Sequence, residues 1–517
     1  MKLLRAVAAT SALALLTGIG LTAPAHAAPA PKTGSETSTL RSYAADTWRS
    51  MTAMADPTTG LVSDNIEGDL SAGSRSAYTS PTNIGAYLWS AVAARDLHII
   101  GDDAAMARMK QTLDTLGTLH RDAASGMFFN WYDPHSGDVL RTWPVDGSTI
   151  TPFLSSVDNG WLAAALMTVR TAEPRLAKEA NALLAPMDFG FYYDKNARPG
   201  VGGELAGGFY EEKPPGCSVV GNYRNRGPDV YYTCNHYDVL NSEPRIASYI
   251  GMALGQIPLS HYFTLYRTFP PDCTKFGWQQ MQPVGYNHTY MGINVYEGAF
   301  RYEGLQFVPT WGGDMFEALM PDMFVPEETW GPTSWGINDP AYVQGQIRHG
   351  LDEAKYGYWG FSPSSDPKIK DGYTAFGVPS LGMDQGGYPS DEQQTVDDPG
   401  IPGCRPAGPA PKWGDGVVTP HASFLALKFA PKAAVDNLAK LKANFDSYGA
   451  GGFYDAVAVG SGTVAKRYLS LDQGMTLGAL GNFLAHDDIR RAFDRGPVQR
   501  VIAPLLRIER FNAKPVD

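Results

Sequence analysis

The sequence predicts an all-α fold: a toroid of paired helices in which outer helices cover inner ones and loops at one end line a cavity. Three observations predict it. About a dozen stretches repeat apolar residues at helical spacing. Helix–loop–helix units recur roughly every 40–60 residues along the chain. Strand-like runs are few and short.

The first stripe is Leu40, Tyr43, Ala44, Thr47, Trp48 and Met51, stopped by the turn signal Asp56-Pro57-Thr58-Thr59-Gly60. Thr79 to Leu97 follows with a capped entry and then Ile84, Tyr87, Leu88, Ala91 and Val92 on one face. Residues 103–120 form another helix, and Gly126 to Asp133 (GMFFNWYD) reads as an aromatic turn or short strand. Helical patterns then occupy 155–170, 174–186, the segment after Glu243, 340–354, 419–429, 432–446, 470–485 and 487–506. With no linker visible, residues 40–510 are taken as one domain, preceded by a disordered stretch over 28–39. The Gly/Pro-rich stretch 385–416 reads as a long surface loop held by Cys404.

Lys2 and Arg5 precede an apolar run from Ala6 to Leu21, and Ala25-His26-Ala27 is a small-x-small cleavage signal. Residues 1–27 are therefore expected to be a signal peptide removed near Ala27, giving a secreted protein without stable membrane insertion. Four cysteines fit that oxidising destination and allow three pairings, of which Cys217–Cys234 with Cys273–Cys404 is favoured. They lack the spacing of a zinc site, so no metal and no cofactor is expected. The net charge of −11 argues against nucleic acid as a partner, since its recognition needs a basic surface. A chain acting as a monomer is expected. The 11 Trp and 26 Tyr, many beside Gly, Asn or Asp in loops, suit sugar rings as well as a core. Walker loops, HExxH helices and GxSxG elbows are missing, which removes the NTPase, metalloprotease and serine hydrolase readings.

One stretch concentrates chemistry: Tyr237 to Pro258, YDVLNSEPRIASYIGMALGQIP. Ile246, Tyr249, Ile250, Ala253 and Leu254 recur at helical spacing, with Asn241 or Ser242 as N-cap and Pro244 in the first turn. Glu243 then sits at the mouth of a buried helix, either as a carboxylate stabilising that helix end or as a catalytic acid.

An ordered series of motifs favours the second reading. TSPTNIGAYLWSAVAARDL, SSVDNGWLAAAL, MDFGFYYD, the Glu243 stretch, TWGGDMFEALMP, YGYWGFSPS, GYTAFGVPSLGM, VTPHASFLAL, GGFYDAV and SLDQGMTLGALGN occur in that order. Over about residues 40–485 the chain resembles the glucoamylase-like domain inside cyclic β-1,2-glucan synthases, and is similar to secreted endo-β-1,2-glucanases. The resemblance implies an (α/α)6 toroid acting on a glucan-like chain, with anomeric inversion in the glucanase branch. It also implies Glu243 as general acid, by motif. At Leu471-Asp472 the synthase branch looks to carry a His pair and the glucanases an Asp, which favours hydrolysis over transglycosylation. TWGGDMFEALMP is instead closer to the synthase form, and the insert around 200–235 looks peculiar to this chain.

Glycosidic cleavage needs one carboxyl to protonate the leaving oxygen and help for the incoming nucleophile. Asp472, at a loop-to-helix entry with Gly474 close behind, is the candidate base, or else an N-cap. Asp158 is an N-cap or a sugar-binding carboxylate; Asp314 and Glu317 compete for a catalytic, substrate-binding or structural role. Trp131, Trp161, Trp311, Trp359 and Tyr373 are candidate sugar platforms, while His236 and His421 read as hydrogen-bonding residues. The expected function is a secreted inverting hydrolase of β-1,2-glucan or a related β-linked glycan, its partner an oligo- or polysaccharide. The rivals are a transglycosylase, a hydrolase of another envelope polysaccharide, and a non-catalytic carbohydrate-binding protein.

Overall fold

A computed structural model describes residues 34–274, 278–279, 281–383 and 400–516. The expected leader, residues 1–27, and residues 385–399 of the 385–416 loop lie outside them. The helices are α1 (Gly34–Met54), α2 (Pro81–Asp96), α3 (Asp102–Leu116), α4 (Ser156–Ala172), α5 (Ala177–Leu184), α6 (Arg245–Ala253), α7 (His261–Thr264) and α8 (Met315–Leu319). They continue as α9 (Glu327–Trp330), α10 (Trp335–Arg348), α11 (Pro420–Leu425), α12 (Pro431–Asn444), α13 (Ser470–Leu484), α14 (Asp488–Phe493) and α15 (Pro497–Ile508). Helices occupy the expected segments, with three corrections: α1 begins at Gly34, so residues 34–39, expected to be disordered, are helical; α10 begins at Trp335, ahead of 340; and the segment 487–506 is split into α14 and α15. None of these helices is long and apolar enough to cross a membrane.

Among the described residues, six helices besides the single-turn α7 are buried nearly all round, the mark of helices inside a core rather than on its surface. In α2 every residue from Pro81 to Ala94 is buried, and in α13 nearly every one from Ser470 to Asn482. The set is α2, α4, α6, α8, α11 and α13: α2 packs on both α4 and α13, α4 on α6, and α11 on both α8 and α13. A second set covers them, with α3 on α2, α5 on α4, α15 on α6, α10 on α8, α12 on α11 and α1 on α13. Helix α1 buries the stripe predicted for it, together with Ser50 and Met54. Two glycines let the buried helices close up. A Cβ on Gly160 would stand 3.0 Å from the Ala247 Cβ, and one on Gly474 would stand 2.7 Å from the Ala86 Cβ. Gly474 thus serves helix packing.

Hydrogen bonds, with one His–Asp contact, link the N-terminal ends of these six helices into a circuit. Thr82 Oγ1 of α2 donates to Asp158 Oδ1 of α4 (2.6 Å). Trp161 Nε1 of α4 donates to Glu243 Oε2 ahead of α6 (2.7 Å), and the Glu243 N–H donates to Glu317 Oε2 of α8 (2.5 Å). Phe316 N–H of α8 donates to Ser362 Oγ, and two residues back Gly360 O accepts from Thr419 N–H at the start of α11. His421 Nδ1 of α11 lies 3.1 Å from Asp472 Oδ2 of α13. Ser470 N–H of α13 donates to Asp64 O (2.7 Å), and Asp64 Oδ2 accepts from Asn83 Nδ2 of α2 (2.9 Å).

Strands are short, as expected, but more numerous than expected. A four-stranded sheet joins 153–155, 208–210, 230–233 and 218–221, and a three-stranded one joins 193–198, 202–206 and 236–237. A hairpin of 284–290 with 293–302 carries 305–307 on its far edge. Cys217–Cys234 and Cys273–Cys404 form the two disulfides favoured from the sequence; the first staples the insert.

Beneath the circuit Arg245 is fully buried. Its guanidinium holds Glu327 two-pronged (2.8 and 2.9 Å) and donates to the carbonyls of Ser242, Glu317 and Ala318, so one side chain joins α6, α8 and α9. Removing it leaves a buried carboxylate unpaired, which costs about 3–5 kcal/mol. Urea unfolding of Arg245→Ala should show a loss of that size; a loss below about 1 kcal/mol would mean that the pair contributes no more than a surface ion pair.

Candidate active site

The circuit explains why acids collect at one end. Asp158, Glu317 and Asp472 each stand in the first turn of a buried helix, where free N–H groups and the helix dipole favour negative charge. None of the three is the N-cap: Ser155 caps α4, Asp314 caps α8, and Leu469 precedes α13. Glu243 lies just before α6, whose cap position is Pro244 rather than Asn241 or Ser242. Asn241 Nδ2 donates instead to Val308 O.

Glu243 lines a cleft of about 410 Å3 together with His236, Tyr237, Trp278, Trp311 and Glu317. Its carboxyl is held well above the ordinary range, first by burial, then by the negative charge of Glu317 and more weakly by Asp158; the Trp161 indole opposes this by stabilising the ionised form. Glu317 is likewise pushed well up, by burial and by Asp314. Asp158 is raised by burial, and the Thr82 hydroxyl limits the rise.

Asp472 sits elsewhere. It is 2% exposed and lines a separate enclosed cavity of about 10 Å3 with Asp455, His421 and Thr419. Burial raises its carboxyl to about 7, while a hydrogen bond from Asp455 favours ionisation. Asp455 keeps its proton, pushed well up by burial and by the Asp472 charge, and its Oδ2 accepts from Ser365 N–H (2.6 Å). Burial pushes His421 down to about 4, so the imidazole beside Asp472 is neutral.

Tyr373 connects the two places. The residue is 53% exposed, and burial of its hydroxyl with the charges of Asp472, Glu243, Asp455 and Asp314 holds the phenol well above its usual value. Glu243 and Asp472 therefore act on one hydroxyl, although they do not line one cavity.

The other expected site residues divide. Trp131 and Trp311 are partly exposed, as platforms require, and Trp311 faces the 38%-exposed Trp278 at 5.4 Å. Trp161 is buried and acts on Glu243 through its N–H rather than through its face. Two expectations are corrected. Trp359 belongs to the core, clamped by Asn437 of α12 through both backbone groups. Asp314 has no exposed surface and caps the Glu317 N–H (2.9 Å), so it reaches sugar only through Glu317. Its Asp-x-x-Glu spacing is a helix-start signature that could have shown this. The residues missed are Asp455, which lies in a quoted motif but carries no spacing signal, and the first-turn residue Thr82. No group of three or more His, Cys, Asp or Glu among the described residues could hold a metal ion.

The field at Glu243 can be altered from either side. Glu317→Gln removes the neighbouring carboxyl that raises Glu243 and should lower the Glu243 pKa. Trp161→Phe removes the indole donor and should raise it. Carboxyl infrared titration, with Glu243→Gln to assign the band, reads both shifts; equal titration in all forms would contradict the electrostatics described.

Residues 280–495 match the family model described as "Putative glucoamylase", and residues 42–193 match one described as a protein of unknown function, DUF3131. The chain is 27% identical over 297 residues to the cyclic β-(1,2)-glucan synthase NdvB of Rhizobium meliloti (strain 1021), a match covering 55% of this chain. It spans only 8% of that relative's length. Among solved structures, the endo-β-1,2-glucanase from Chitinophaga pinensis, in complex with sophorotriose and glucose, superposes with a TM-score of 0.61 at 15% identity, covering 91% of this chain and 98% of that one. The endo-β-1,2-glucanase from Talaromyces funiculosus, in complex with sophorose, superposes with a TM-score of 0.58 at 13% identity, covering 90% of each. The resemblance read from the motifs is thus found again in a family model, a relative and solved structures, and over nine-tenths of its length the chain shares its fold with endo-β-1,2-glucanases.

Proposed function

We propose that this chain is an exported glycoside hydrolase that cuts β-1,2-glucan, or a closely related β-linked glucan, within the chain and with inversion. The observation that carries the reading is Glu243: a carboxyl on the wall of a cleft, kept protonated by burial and by Glu317 and held by the Trp161 indole. The preference for β-1,2 linkages rests on the likeness to endo-β-1,2-glucanases and to the glucan synthase. Six buried helices in series under six covering ones support reading the fold as an (α/α)6 toroid. Two disulfides agree with export after removal of residues 1–27.

In the reaction, Glu243 gives its proton to the glycosidic oxygen as the bond to the anomeric carbon breaks. A water attacks that carbon from the opposite face, as inversion requires. Its proton passes to the Tyr373 oxygen while the Tyr373 hydroxyl proton goes to Asp472, which ends protonated. The relay suits a base that lies out of contact with the cleft and a phenol that stays neutral at working pH. Asp158, beside Glu243 and held by Thr82, is placed to take sugar hydroxyls. Glu317 sets the charge that Glu243 feels.

Activity requires Asp472 ionised and Glu243 protonated, so the acidic limb of the kcat/KM profile falls near the Asp472 value of about 7. Purified protein given linear β-1,2-glucan should release short oligosaccharides, with kcat down about a thousandfold in Glu243→Gln and in Asp472→Asn. Full activity in either variant removes that residue from its role, and products longer than the substrate would favour transfer over hydrolysis. Asp455 acts on Asp472 through a hydrogen bond that favours the ionised base. Asp455→Ala should therefore shift the acidic limb to higher pH, and Asp455→Asn, which still donates, should restore it; an unmoved limb in the alanine variant rejects this part.

A further inference from the structure

In the circuit of helix ends Glu243 has α8 with Glu317 on one side and α4 with Asp158, then α2, on the other. The α8 side carries Trp311 and Trp278, which the cleft already includes. The α2 side carries an aromatic group that the mechanism does not use. Tyr78, just before α2, packs with Trp143 (ring centroids 4.5 Å apart) and Trp131 (5.6 Å), and the two indoles pack edge to face at 5.1 Å. All three rings keep part of their surface open to solvent.

Two details separate this group from ordinary core. Trp143 is the one residue of 141–149 that is not exposed: the turn, closed by Trp143 N–H on Ser148 O, projects into solvent, with Arg141 paired to Glu212 at its base and the Trp143 ring turned back. The rings also adjoin a row of polar groups that leads to the chemistry. Asn65 Nδ2 donates to the Tyr78 hydroxyl (3.0 Å) and to Asp64 Oδ1 (2.9 Å), and Asn83 Nδ2 donates to Asp64 Oδ2 (2.9 Å). Asp64, itself partly exposed, is close enough to Asp472 for its charge to raise that carboxyl. Flat aromatic faces beside amide and carboxylate groups match the apolar faces and equatorial hydroxyls of glucosyl rings.

We propose that Tyr78, Trp131 and Trp143, with Asp64 and Asn83, form a second sugar platform across Glu243 from Trp311 and Trp278. One β-linked glucan chain is then gripped on both sides of the bond that is cut. The inference rests on the hydrolase reading and deepens it: a grip on both flanks makes cleavage internal and makes affinity grow with chain length.

The test uses the full mature chain carrying Glu243→Gln, titrated calorimetrically with β-1,2-linked gluco-oligosaccharides of increasing length. Trp143→Ala should weaken binding of the longest about tenfold and leave the disaccharide unchanged, while Trp143→Phe should recover most of the loss. Melting curves of both variants should match the parent, since the turn lies outside the core. If Glu243→Gln binds β-1,2-glucan but Trp143→Ala changes nothing at any length, the platform is wrong and the hydrolase reading stands. A loss equal at all lengths with a lowered melting point also overturns the platform, because the ring then only holds its turn. If Glu243→Gln binds no β-1,2-linked chain of any length, the substrate reading fails and the platform fails with it.

Discussion

The structure depends on a conflict at the ends of its six buried helices. Their free N–H groups attract carboxyls, and packing then strips those carboxyls of water. Asp158, Glu317 and Asp472 take first-turn positions that a helix dipole favours, and Glu243 stands one step before such a turn. A dipole end offsets only part of the cost of burying so many like charges. On Glu243 the proton stays on instead, and a carboxyl just ahead of a helix start becomes an acid. The acidity of this site is a consequence of packing.

The same conflict is resolved differently on the two sides. Around Glu243 the neighbours are another carboxyl and an indole N–H, and burial with like charge wins over the single donor. Around Asp472 the neighbour is a protonated Asp455, whose hydrogen bond favours the anion, and the rise stops near 7. His421, which would neutralise Asp472 if charged, is itself too deeply buried to hold a proton. Two carboxyls of one chain thus end in opposite states without any cation beside them. Arg245, beneath this end, is spent on Glu327 and on the carbonyls of Ser242, Glu317 and Ala318.

Much of this was legible in the sequence, because long apolar periodicity marks buried helices directly. The stripe Leu40 to Met51 and the run from Pro81 to Ala94 name their own environment. Glu243 stood out because a lone acid opened an apolar helix. The strands were under-read because most span two to seven residues, too few for a period of two to show. Trp359 and Tyr373 look alike as aromatics in Gly-rich loops; only the fold decides that one enters the core and the other reaches over the carboxyls. Asp455 and Trp143 were out of reach for the same reason, since each matters through residues far away in the chain.

The most direct test is a crystal structure of Glu243→Gln with a β-1,2-linked oligosaccharide long enough to cross the site. The account predicts a glycosidic oxygen about 3 Å from the Gln side chain at position 243, with the sugar chain running from Trp311 past Asp158 and its anomeric carbon open to a water beside the Tyr373 hydroxyl. An oligosaccharide bound with every glycosidic oxygen far from position 243 would contradict it.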